Sequence, residues 1–295
     1  MKFHEPVLKI EALELLKVKK GKKYLDATVG GAGHAEEVLK KGGTLLGLDC
    51  DPQALAFSRK RLVSACPPSA CCWKLVKGNF ARLKKIARDA GFLPVSGIIF
   101  DLGASWFQLK EPGRGFSLRS RISLDMRLDP EIPVSAFDLV NHLSQKELIL
   151  ILRRFGEERR ASRIVREIVS SRRNKPIRTG EELAEIIASA LPGRKGRIHP
   201  ATRSFQALRI AVNNELENLS QALPQAVELL ETEGRLVVIS FHSLEDRIVK
   251  NFLRNRQAGG ELKILTPKPI CASPVEVKNN PGSRSAKLRA AEKTK

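Results

Sequence analysis

The stretch from Tyr24 to Asp51, YLDATVGGAGHAEEVLKKGGTLLGLDCD, holds two carboxylates and a glycine-rich turn at spacings that suit a nucleotide-type cofactor. Asp26 breaks one apolar run and Asp49 ends the next. Between them Gly30, Gly31 and Gly33 let the backbone turn tightly and approach a ligand, because glycine alone takes positive φ without steric cost. In an open α/β sheet, an acid just past the carboxyl end of a strand can grip ribose hydroxyls, which is the task expected of Asp49. A dinucleotide fingerprint starting at Gly31 needs a third glycine where Glu36 stands, and one starting at Gly30 meets Ala32 and Ala35 instead. A carboxylate such as Asp26 beside the turn would repel a pyrophosphate and suits the cationic S-adenosylmethionine. On spacing alone, the alternative is an ordinary strand-helix-strand unit with no cofactor.

These residues require a scaffold. Tyr24 to Thr28 is the first expected strand, Ala35 to Lys41 a helix stopped by Gly42-Gly43, and Thr44 to Asp49 the second strand. Asp51 and Pro52 form an N-cap and N1 pair for the next helix, which gives Asp51 a structural task. Trp73 to Val76 forms a third strand, closed by Gly78-Asn79-Phe80, where Phe80 can pack on an adenine or fill the core. A helix from Arg82 to Ala90 follows, then a fourth strand from Gly97 to Leu102. That last run is of the kind buried on both faces, and it carries Asp101 at its end.

From Lys110 to Val212 the pattern is helical, with capping boxes at Ser144/Glu147 and Thr179/Glu182 and a helix opened by Pro200. Three segments result: 1–109, a first part of an α/β domain; 110–212, an inserted helical domain; and 213–295, the second part of the α/β domain with a basic tail. Arg194, Lys195, Arg197, Arg203 and Arg209 follow one another in the insertion with no acid among them, and are expected to face phosphates rather than merely solvent. The sheet resumes with a helix from Glu215 to Glu231 and a strand from Gly234 to Phe241. Ser243 with Asp246 is expected to cap the helix after it, and His242 lies on the ligand-facing edge. Leu262 to Leu265 is a sixth strand, and the tail from Lys278 reads as an extended arm. Residues 4 to 17 form an amphipathic helix ahead of the sheet.

Composition narrows the class of function. Fifty-two Lys and Arg against 32 Asp and Glu give a formal charge of +20, which implies a polyanionic partner. With no apolar stretch near the roughly 18 residues of a spanning helix and no signal-peptide pattern at the N-terminus, a cytoplasmic location is expected. The five cysteines lack paired zinc spacing and are expected to be reduced thiols, with no metal bound.

The motifs DATVGGAGH, LDCDPQAL, DLGASWFQL, RGFSLRSRISLDMRLD, EERRASRIV, HPATRSFQALRIAVNNEL, ISFHSLEDRIVK and NPGSRSAKLR occur in an order that resembles the ribosomal RNA small subunit methyltransferase H family, also called MraW, over nearly the full length. The resemblance implies a class I S-adenosylmethionine-dependent methyltransferase, an α/β Rossmann-like sheet with an inserted helical domain. It implies methylation of the exocyclic N4 of one cytosine, conventional position 1402, in 16S rRNA of the small ribosomal subunit or its assembly intermediate. Cofactor contacts carry over to Ala32, Gly33, His34, Asp49, Phe80, Asp101 and Gln108, and Asp101 and Ser105 are the catalytic candidates. Trp106 and Phe107 are candidates for stacking on the cytosine.

Two positions depart from the family pattern: Ala32, where glycine is usual, and Trp106-Phe107, where a small residue often followed by proline is usual. Alternatives to this function are an N-methyltransferase of another RNA or of DNA, and a non-catalytic RNA-binding factor that kept the fold. Leu102-Gly103-Ala104-Ser105 lacks the Pro-Pro-aromatic motif of DNA amino-methyltransferases, and the intact glycine turn with Asp49 and Asp101 speaks for an enzyme.

Overall fold

The computed structural model describes residues 6–66, 72–103, 108, 111–192 and 199–295. The chain divides into two compact units, Met1–Gly103 with Leu216–Lys295, and Ala104–Glu215.

The first unit is a seven-stranded sheet in the order β3-β2-β1-β4-β5-β7-β6, with strands β1 (Lys23–Asp26), β2 (Thr44–Asp49), β3 (Trp73–Lys77), β4 (Val95–Asp101), β5 (Leu230–Ser240), β6 (Leu262–Ile264) and β7 (Lys287–Lys293). Neighbouring pairs among β1 to β5 are parallel; β7 runs antiparallel to β5 and β6. The helices are α1 (Lys9–Leu16), α2 (Gly33–Lys40), α3 (Pro52–Ala65), α4 (Leu83–Asp89), α10 (Glu215–Leu229), α11 (Ser243–Ala258) and α12 (Pro274–Asn279).

Strand side chains alternate between two cores. Leu25, Leu46, Leu48, Ile98 and Phe100 meet Leu83, Leu223 and Leu253 on one face. Tyr24, Leu45, Ile99 and Val237 meet Leu13, Leu16, Val38 and Leu62 on the other. Double-sided burial explains why these strands read as continuous apolar runs. Successive connections lead outward from β1 to β2 and β3, whereas β4 lies on the other side of β1. The switch point therefore lies between β1 and β4, and the carboxyl ends of strands at such a point are where open α/β sheets bind ligands.

The second unit packs, among the described residues, α5 (Ala136–His142), α6 (Gln145–Gly156), α7 (Ala161–Asn174), α8 (Gly180–Ala190) and α9 (Thr202–Asn213) around its own core of Leu148, Leu152, Ile164, Ile168, Leu183, Ile187 and Leu208. Both expected capping boxes form, and Ser135 with Asp138 makes another. The irregular segment ahead of α5 is pinned from inside. Phe116, Leu124 and Met126 enter the core, while Asn213 donates to the Met126 carbonyl (2.7 Å) and accepts from the Leu128 N–H (2.7 Å).

Four expectations change. Arg209, expected to face phosphates, is largely buried and forks onto both carboxylate oxygens of Glu215 (2.8 Å each). The supposed basic arm ends in β7, an interior strand whose Leu288, Ala290 and Ala291 are buried and whose Arg289 pairs with Asp246 (2.6 Å). Its charges misled because Arg289 is neutralised by a buried partner and the strand's other buried residues are apolar. The cap of α11 lies one residue earlier than expected: His242 Nδ1 accepts the Glu245 N–H (3.3 Å), and the Glu245 carboxylate accepts the N–H groups of Phe241 and His242. His242 is thereby given a structural task. Finally, Cys66 and Cys72 are joined in a disulfide (S–S 1.97 Å), because the chain leaving α3 returns beside its own end to begin β3; Cys50 and Cys271 take no part in a disulfide.

Candidate active site

The turn after β1 is built by residues that one-dimensional spacing does not bring together. Gly30 (φ 46°) and Ala32 (φ 57°) both take left-handed backbone, and Ala32 precedes the first residue of α2. A Cβ on Gly33 would stand 2.7 Å from the Pro6 ring, so only glycine lets the N-terminal segment pass so close. From α3, Ser58 donates to the Gly30 carbonyl (2.5 Å) and Arg61 to the Gly31 carbonyl (3.0 Å). These bonds fix the turn's carbonyls. Ser58 is fully buried, a sign that its hydroxyl is structural.

Around this turn stand three carboxylates from the ends of adjacent strands. Asp49 Oδ2 accepts the Gly30 N–H (2.9 Å) and Oδ1 accepts the Asp51 N–H (2.9 Å), which ties β2 to the turn. Asp51 itself caps α3 through the Gln53 N–H (2.9 Å), the structural task its sequence position implies. Asp26 is buried and accepts the Thr28 N–H (3.1 Å). Thr28 Oγ1 in turn accepts the Asp101 N–H (2.7 Å), so the ends of β1 and β4 are locked together. Asp101 Oδ2 lies 3.6 Å from His34 Nε2. Phe80 follows Asn79, whose side chain accepts the Ala81 N–H (2.8 Å), and its half-buried ring meets Phe100 edge-on at 5.8 Å.

Crowding of like charge in a partly dry site has a clear electrostatic effect. Burial pushes the Asp26 carboxyl up to about 7, aided by Asp101 and Asp49 and opposed by His34 and the Thr28 N–H. Burial likewise pushes Asp49 up to about 6, against the N–H groups of Asp51 and Gly30. Among the described residues, no lysine or arginine pairs with Asp26, Asp49 or Asp101.

A cationic ligand supplies what this site lacks. Both ring nitrogens of buried His34 and Oδ1 of Asp101 have no hydrogen-bond partner, a costly state for buried polar atoms unless a ligand completes them. Unpaired acids, orphaned acceptors and a glycine cradle fit S-adenosylmethionine and oppose a pyrophosphate.

The structure thus brings Ala32, Gly33, His34, Asp49, Phe80 and Asp101 to one end of the first unit's sheet. Gln108 is buried in the second unit. Ser105, Trp106, Phe107, Arg194, Lys195 and Arg197 lie outside the described residues; Arg203 is exposed near the start of α9. Sequence reasoning passed over Thr28, Ser58 and Arg61, for which only the fold supplies a signal, and noted Asp26 without placing it in the site.

Comparison with known proteins supplies the family. The chain is 46% identical over 311 residues to the ribosomal RNA small subunit methyltransferase H of Syntrophus aciditrophicus (strain SB), covering 99% of this chain and 98% of that protein. Identity to the protein of the same name from Thermomicrobium roseum is also 46%, over 308 residues, covering 98% of this chain and 93% of the relative. A solved putative methyltransferase from Streptococcus mutans in complex with SAH aligns over 98% of this chain and 99% of that one, at 14% identity and a TM-score of 0.47, too loosely to add to the argument. Because the MraW methylase family model matches residues 1–294, on a sheet whose switch point carries three strand-end acids and a glycine turn, this chain belongs to the MraW methylase family.

Proposed function

We propose that the chain transfers a methyl group from S-adenosylmethionine to the exocyclic N4 of a cytosine, conventional position 1402, in 16S rRNA of the small ribosomal subunit or its assembly intermediate, in the cytoplasm. The observation that carries this is the set of unpaired acids, Asp26, Asp49 and Asp101, around a glycine turn, in a chain 46% identical to a ribosomal RNA small subunit methyltransferase H along its length. Among the described residues, no helix is long and apolar enough to cross a membrane.

When bound, S-adenosylmethionine supplies an activated methyl group, so the protein's work is positioning and charge. Asp49 accepts the ribose hydroxyls, Phe80 covers the adenine, and Ala32, Gly33 and His34 present the turn to the cofactor. Asp101, with Oδ1 free, accepts from the cofactor's amine. Ser105 stands four residues further on and is the candidate for the cytosine amine, whose lone pair is delocalised into the ring. Gln108 completes the cofactor set. A base in folded RNA must be extruded, and Trp106 or Phe107 is assigned to stack on it, worth about 1 to 3 kcal/mol per base. Arg194, Lys195, Arg197 and Arg203 are assigned to RNA phosphates.

Mass spectrometry of small-subunit RNA from a deletion strain tests the substrate. Loss of one N4 methyl group on a cytosine, restored by the wild-type gene, is expected; an unchanged methylation pattern would sink the proposal.

A further inference from the structure

A line of arginines on α7 has no task in the packing of the second unit. From position 153 to 173 the chain has eight arginines (Arg153, Arg154, Arg159, Arg160, Arg163, Arg166, Arg172 and Arg173), no lysine, and three glutamates (Glu157, Glu158 and Glu167). The inner face of α7 is apolar, with Ala161, Ile164, Val165 and Ile168 buried. Arg172 also works inward, donating to the carbonyls of Val140 (2.5 Å) and Leu143 (2.6 Å) at the end of α5. Arg163, Arg166, Ser170 and Arg173 are exposed and recur at helical spacing, so they share one outer stripe, which Arg159 and Arg160 extend just before the helix begins.

The stripe's charges are not neutralised by the protein. The side chains of Arg159, Arg160, Arg163, Arg166 and Arg173 make no ion pair or hydrogen bond among the described residues. Glu167, the only acid of α7, is half-buried at the flank of the stripe and pairs with none of them. Nearby cations with ordinary surface tasks behave differently: Arg121 pairs with Glu181 (2.8 Å) and Lys175 with Glu182 (3.0 Å). Solubility alone would be served as well by lysine. A stripe whose charged residues are all arginine offers planar, forked donors suited to phosphate oxygens, at spacings fixed by the helix.

We propose that this outer stripe of α7, led by Arg159 and Arg160, is a docking surface for an RNA phosphodiester backbone. It rests on the RNA substrate proposed above and adds a place on the molecule that holds it. From Arg163 to Arg173 the stripe runs about 15 Å along the helix axis, and such contacts would position the RNA without reading its sequence.

The test replaces Arg159, Arg163, Arg166 and Arg173 together by glutamine in the full-length protein and measures binding to a 16S rRNA transcript over a series of salt concentrations. With about 0.7 to 0.9 counterions released per phosphate contact, the slope of log affinity against log salt should fall in magnitude by about three, and affinity near physiological salt by about a hundredfold. Melting temperature and S-adenosylmethionine affinity should be unchanged, and lysine at the same four positions should restore most of the slope. A salt-dependent wild type whose slope the glutamine variant leaves intact overturns the stripe alone. If the wild type does not bind the transcript, the RNA substrate and the stripe fall together. If the variant loses binding to anionic lipid vesicles but keeps its RNA slope, the stripe serves a membrane and the proposal is wrong.

Discussion

At the scale of single residues, the site is governed by carboxylates held where ionisation is unfavourable. Folded values of about 7 for Asp26 and about 6 for Asp49, against an ordinary 3.8, mean that the native state holds protons the unfolded chain has released. Their contribution to stability is therefore present at acid pH and is lost as pH rises from about 4 through about 7. Other acids titrate the opposite way, Asp246 beside Arg289 among them, so the comparison must be made against a variant. Asp26→Asn should melt higher than wild type at pH 7.5, with the gap closing by pH 4.5; a gap independent of pH would show that Asp26 is not protonated on folding. A bound cation reverses the preference, since it favours ionised carboxylates. S-adenosylmethionine affinity, measured by calorimetry, should accordingly rise between pH 5.5 and 7.5 with release of protons to the buffer. Asp49→Ala should weaken that affinity at least tenfold, as expected from losing charge-assisted bonds of about 1.5 to 3 kcal/mol each to the ribose. An unchanged dissociation constant would remove Asp49 from the site.

Elements differ in how far they could be read without coordinates. β2 is the strand expected, from Thr44 to Asp49, because a short apolar run between a glycine pair and a terminal acid has sharp edges in sequence. Capping boxes at Ser144 and Thr179 were legible for the same reason, since the pattern is the contact. The segment ahead of α5 was not, because Phe116, Leu124 and Met126 enter the core without any period. Nor could the sequence show that Ser58 and Arg61 hold the glycine turn, a contact made across some 28 and 30 residues. Ala32 joins both cases: its departure from glycine was visible, and its φ of 57° was not. Left-handed backbone costs an alanine about 1 to 2 kcal/mol. Against that, glycine loses roughly 0.5 to 1 kcal/mol in chain entropy. Removing the fully buried methyl costs about 0.8 kcal/mol more. These terms nearly cancel. Ala32→Gly should change stability by less than about 1 kcal/mol and leave cofactor affinity intact, because the turn's N–H groups remain. A gain above about 2 kcal/mol would mean that strain dominates the turn.

For the whole molecule, the +20 charge and the end of the chain must be considered together. The basic residues near the C-terminus suggested an arm available to a polyanion, yet β7 spends three of them on the fold: Lys287 and Arg289 face Asp246, and Lys293 donates to the Leu230 carbonyl (2.7 Å). Residues Lys287–Lys293 also form the strand between β5 and β6, so the sheet cannot be completed without them. Without β7, the long edge of β5 would present unpaired N–H and C=O groups beside exposed apolar side chains, a template for aggregation. Removal of residues 286–295 should therefore leave the protein insoluble or without cooperative unfolding, and abolish S-adenosylmethionine binding by calorimetry. An arm devoted to RNA predicts the opposite pattern, a soluble protein with normal melting and cofactor affinity and a reduced salt dependence of RNA binding. Lys287→Gln separates the two further, since its pairing with Asp246 is long (3.4 Å) and its side chain partly exposed. Little change in stability is expected from that variant, because exposed ion pairs contribute about 0 to 1 kcal/mol. Arg289→Gln should instead be costly, because it leaves Asp246 without its buried partner. If both substitutions were harmless and the truncated protein folded, β7 would be dispensable and the sheet would end at β5.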